Sequence, residues 1–141
     1  LLYKSLAPLS SVAHAKHGLT LREAFPETKG VHAIPLTVDE FVEAQRFYPI
    51  VFGTGENPAP LALLGMNEGF NTAVDADGKW REGLYVPAYI RRYPFMLAKL
   101  TPEATELSLC FDDASGLVGD GTGEALFDGD KPSERTQAIL K

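Results

Sequence analysis

The pattern of apolar and polar positions contains one segment with a helical repeat and several with strand character. Val38, Phe41, Val42 and Phe47 recur at a spacing that suits one helical face. Thr37 with Glu40 fits a capping box, and Pro49 stops the run, which predicts a helix over about 38–47. Further along, Leu107, Leu109 and Phe111 alternate with Glu106, Ser108 and Cys110, the pattern of a half-buried strand. "FMLAKL" before it reads as that strand's partner across "TPEAT". "VHAIPLT" (31–37) reads as a short strand that Pro35 confines to an edge or an end. "IVFG" (50–53) and "PLALLGM" (60–66) suit buried strands, and Asp77-Gly78 within "DADGK" predicts a hairpin turn.

Pro8, Gly18, Pro26 and Gly30 punctuate an irregular or extended start. After Asp113 the chain is polar and glycine-rich, with a turn at "FDGDK", and Ser133 is placed to cap a final helix. The predicted fold class is α+β: a mostly antiparallel sheet of short strands, one firm helix, and a C-terminal helix cut short at Lys141. The apolar pair Ile139-Leu140 at the very end suggests that the helix continues in a longer natural chain.

Composition narrows the class. A chain of 141 residues is one domain's worth and is long enough for a core without metals or disulfides. A single domain over 1–141 is therefore expected, forming the N-terminal and central part of the longer protein. Thirteen glycines and ten prolines favour many turns over a helical bundle. A net charge of −6 argues against nucleic acid as a partner, because displacing counterions takes a surplus of lysine and arginine. Cys110 is the single cysteine, so no internal disulfide forms. No transmembrane segment is expected, since no stretch has the apolar length to cross a bilayer. The start lacks the charged-then-apolar layout of an export signal, which leans towards the cytoplasm.

Six stretches, in order, carry a family resemblance: "LLYKSLAPLSSVAHAKHGL", "PLTVDEFVEAQRFYPIVF", "LALLGMNEGFNTAVDADGKW", "YVPAYIRRYPFMLA", "LSLCFDDAS" and "GEALFDGD". Together they resemble the bacterial SapC family. One departure is at Thr72-Ala73, where the family tends to carry leucine then phenylalanine. The family takes its name from a surface-layer gene cluster, so the resemblance implies a role at the cell surface, against the cytoplasmic lean of the N-terminus. It implies no catalytic residue at any position here.

The densest run of aromatic and basic side chains is "WREGLYVPAYIRRYPFMLAKL" (80–100). Pro87 suits the first turn of a helix and Pro94 takes Tyr93 out of helical geometry. Arg91 and Arg92 then diverge by roughly 100°, too far to clamp one small anion together. One reading is a core joint, its aromatics packed and an arginine paired with Asp112 or Asp113. The other is a groove with Trp80, Tyr85 and Tyr89 as stacking walls and Arg91 or Arg92 holding an anionic group.

His14, His17 and His32 do not form a zinc motif, and "DADG" has only the acidic half of a calcium loop, so no metal and no cofactor are expected. Cys110 reads as a structural cysteine, and "GDGTG" as a loop, because Asp120 and Glu124 would repel phosphate. The function expected is a noncatalytic binding domain for a protein, peptide or glycan. Alternatives are an enzyme using His17 or His32 with Asp75, Asp77 and Asp112, and a structural subunit of a surface assembly.

Overall fold

The computed structural model describes residues 2–140. They gather into two compact units, one of residues 3–22 with 92–140, the other of residues 23–91 with Leu2. The class is α+β, with antiparallel strands in several small sheets and short helices.

In the first unit, strand Ser108–Asp112 lies between Leu6–Pro8 and Phe95–Ala98, both antiparallel to it. Phe95 sits opposite Phe111 and Met96 opposite Cys110, so "FMLAKL" and "ELSLCFD" pair as their pattern predicts. The alternation does not carry through, however. Leu107 is exposed, while Cys110, Phe111 and Asp112 are all buried in succession. A central strand covered on both faces loses the polar alternate positions of a half-buried one.

His17–Leu19 is the middle strand of a second small sheet, between Val118–Asp120 and Glu124–Ala125. Any side chain at Gly18 would strike the backbone of Thr122, which explains "GDGTG" as a loop folded tightly over this strand. Phe127–Asp128 pairs with Lys131–Pro132 across the turn expected at "FDGDK". The final helix, Glu134–Ile139, starts where expected: Ser133 Oγ accepts the Thr136 amide at 3.3 Å. Leu19, Phe95, Phe111, Val118 and Leu126 form this unit's core.

In the second unit, Pro60–Leu63 lies between Ala33–Pro35 and Ile50–Phe52. Pro35 is therefore on an edge strand, where its missing N–H breaks no ladder bond. The Asp77-Gly78 turn also forms. Asp75 Oδ1 accepts the amides of Asp77 and Lys79, both at 2.9 Å, and Gly78 takes a φ of 82°. Beside it Val74 bridges Trp80.

The helix expected over 38–47 is a composite. It opens as a 3-10 turn at Val38–Glu40, becomes α-helical over Phe41–Ala44, and continues as turns to Phe47. Its orientation reverses the expectation. Glu40, Ala44 and Tyr48, each four residues on from the last, are the buried positions. Val38 and Val42 are 73% and 68% exposed. Long-range bonds to Glu40 turn that side inward.

Candidate functional site

Glu40 is the hub of the second unit. Its Oε2 accepts the Thr37 amide at 2.8 Å, which is the carboxylate half of the capping box, and the Thr37 hydroxyl at 3.1 Å. Its Oε1 accepts the Ala88 amide at 2.6 Å and the Tyr85 hydroxyl at 2.9 Å. Burial pushes this carboxyl up, but the Ala88 and Thr37 amides and the Tyr85 and Thr37 hydroxyls outweigh it and hold the group below its ordinary value. A second chain of bonds runs alongside. Trp80 Nε1 donates to Tyr48 Oη at 3.0 Å, and Tyr48 Oη donates to the Tyr85 carbonyl at 2.6 Å. Burial raises Tyr48, and burial followed by the Glu40 bond raises Tyr85, so both hydroxyls keep their protons.

These bonds locate the residues expected to form a groove. Trp80 is 8% exposed, with its one polar atom committed to Tyr48. Trp80 borders a shallow hollow together with Asp75, Lys79, Arg81 and Glu82. Arg91 is exposed, stands 5.5 Å over the Tyr85 ring and donates from Nη2 to the Tyr85 hydroxyl at 3.2 Å. Tyr89 is half-buried in the helical turn Ala88–Arg91. Trp80, Tyr85, Tyr89 and Arg91 thus belong to the second unit, and Arg92, exposed, to the first.

The first unit holds a comparable buried carboxylate. Asp112 has no exposed surface, and accepts the Lys4 and Ser5 amides at 3.1 and 2.9 Å, the Tyr93 hydroxyl at 3.1 Å and the Ala114 amide at 3.2 Å. Burial pushes it up, and these bonds prevail to hold it below the ordinary aspartate value. Tyr93 is itself set edge-on to Tyr3 at 5.3 Å, under the Arg22 guanidinium at 5.4 Å. In both units, then, a tyrosine from the 80–100 stretch donates to a buried carboxylate. Neither partnership shows in local spacing, since 45 residues separate Tyr85 from Glu40 and 19 separate Tyr93 from Asp112.

The His14 and His17 rings meet at 4.7 Å, and His14 packs edge-on to Phe111 at 5.1 Å. His17 Nδ1 lies 2.8 Å from Asp120 Oδ1, at an angle too poor for a hydrogen bond. His17 and Asp112 lie in the first unit, while His32, Asp75 and Asp77 lie in the second. Among the described residues, no group of three or more His, Cys, Asp or Glu is placed to hold a metal ion. Burial raises the Cys110 thiol, which lies 3.7 Å from the Ser108 carbonyl. No described helix is long and apolar enough to cross a membrane.

Pattern reading missed a different surface, on the outer side of the 38–44 segment. Val38 and Val42 stand one turn apart there, with Phe41 between them. The Phe41 ring meets Phe52 edge-on at 6.4 Å, and Phe52 is 60% exposed on the edge strand Ile50–Phe52. The signal was present as the apolar spacing itself, but its direction was not.

No curated protein and no solved structure matches the chain. A family model does, over residues 9–141, which take in nearly every strand and helix described above, and on that match the chain belongs to the SapC family.

Proposed function

We propose that this chain is a noncatalytic binding domain whose partner is a protein, peptide or glycan, with a protein or peptide fitting best. The carrying observation is the outward apolar face of Val38, Phe41, Val42 and Phe52. Apolar residues scattered singly over a surface need no explanation, but a helical stripe joined to an aromatic on a neighbouring strand is a contiguous patch. It follows the anchor spacing by which a short helix seats in a partner's groove. Arg91 on Tyr85 supplies a second exposed group of a kind common at binding hot spots.

The test is affinity capture with the whole chain and with a Val42→Asp/Phe52→Ser variant, after their unfolding temperatures are shown to agree. The wild type is expected to retain a partner that the variant loses. Equal retention by both would refute the assignment to this face.

A further inference from the structure

We infer that a cleft beside Tyr48 is a binding site for a small carboxylic acid with an apolar body. The cleft has a volume of about 340 Å³ and is walled by Phe47, Tyr48, Leu64, Met66, Ala73 and Leu84 among others. That size falls at the lower end of small-molecule pockets, roughly 300–1,000 Å³. The site is separate from the outward face of Val38 and Val42 and does not depend on it.

The walls select an apolar body because their side-chain hydroxyls are already bonded. The Tyr48 hydroxyl is bonded to Trp80 and to the Tyr85 carbonyl. The Thr72 hydroxyl donates to the Leu64 carbonyl at 2.8 Å, and the Thr72 amide donates to the same oxygen at 2.9 Å. The Leu64 and Gly65 amides both donate to the His32 carbonyl. A polar ligand would lose water there and gain no partner.

The anionic end follows from Arg81. In the hairpin, Val74 faces Trp80 and the Arg81 amide donates to the Ala73 carbonyl at 2.8 Å, so Ala73 and Arg81 are opposite one another. Directly opposed residues on antiparallel strands project to the same side, which sets Arg81 beside the alanine that lines the cleft. Arg81 Nε donates to the carbonyl of Thr72, another lining residue, at 2.8 Å. Arg81 is exposed, and its two Nη groups make no bond or ion pair among the described residues. Tied through Thr72 to the wall of an apolar cleft, the Arg81 guanidinium suits a carboxylate, which takes two parallel N–H bonds from such a fork.

Met66 provides the reporter. It is one of two methionines, and it is 88% exposed at the cleft, while Met96 sits in strand Phe95–Ala98. The whole chain, labelled with ¹³C at the methionine methyls, is titrated with 4-phenylbutyrate and with its neutral counterpart 4-phenyl-1-butanol. Both are expected to move the Met66 signal and leave Met96 still, with the acid binding about tenfold tighter. Arg81→Gln should remove that preference, and Ala73→Leu should weaken both compounds by filling the cleft. Should the leucine variant fail to fold, the Arg81 comparison decides alone. Equal binding of acid and alcohol to the wild type, or an unmoved Met66, overturns the inference. So does tighter binding of N-acetyl-Gly-Gly-Phe than of 4-phenylbutyrate, because the cleft would then be reading peptide termini.

Discussion

Glu40 shows how much one side chain can organise. Four donors converge on its two oxygens, from Thr37, Tyr85 and Ala88. A buried carboxylate is tolerated only when its lone pairs are met in this way, and removing it leaves donors buried without partners. Glu40→Ala is therefore expected to destabilise the protein by about 3 kcal/mol. Glu43→Ala, one turn away, exposed and in surface contact with Arg46 at 3.4 Å, should change stability by no more than about 0.5 kcal/mol. Urea unfolding of the two variants measures the contrast, and similar losses for both would remove Glu40 as the hub.

For the 38–47 element, the amphipathic pattern is real and points away from the core. Ala44 is fully buried on the inner side, with Glu40 before it and Tyr48 after it. Because it is fully buried, Ala44→Leu must fit three more carbons among its neighbours and is expected to cost about 1–3 kcal/mol by overpacking. Val42→Asp on the outer side should stay within about 0.5 kcal/mol of the wild type, despite putting a charge on an apolar stripe. Thermal unfolding distinguishes the two orientations. If Val42→Asp proves the more damaging, the helix packs by its valine face and the proposed interaction surface does not exist. A face whose mutation leaves folding untouched is one the proposed partner can use.

Across the whole molecule, the two buried carboxylates contribute to the response to acid. Glu40 and Asp112 both lie below their ordinary values when folded, while unfolded carboxylates titrate near pH ~4. A lowered folded value means that the unfolded chain takes up protons first. Their stabilisation is fully present above about pH 5 and is lost as the pH falls through ~4 towards the folded values. Unfolding temperature should fall steeply over that range, and Asp112→Asn should lower the plateau and flatten the acid limb. An unchanged slope in the variant would show that Asp112 does not couple folding to protons. Tyr48 and Tyr85 act in the opposite direction, being raised in the folded state, so their contribution is lost only as the pH climbs past ~10.

Neighbouring residues were enough to determine the turns, caps and strand ends. Asp75 needs only Asp77 and Lys79 to close its turn, Ser133 needs only Thr136, and Pro35 marks an edge because it carries no N–H to donate. The mostly antiparallel class and the family stretches were legible for the same reason: short strands, their turns and their motifs are written in consecutive positions. The tertiary structure decided which side of the 38–47 segment turns inward and what the aromatic run does. Those outcomes rest on Ala88 and Tyr85 reaching Glu40, and on Lys4, Ser5 and Tyr93 reaching Asp112. Hydrophobic spacing identifies a stripe but assigns it no direction, because burial is settled by the partners available on either side. Here a carboxylate met by distant donors draws the polar side in and leaves the valines facing out.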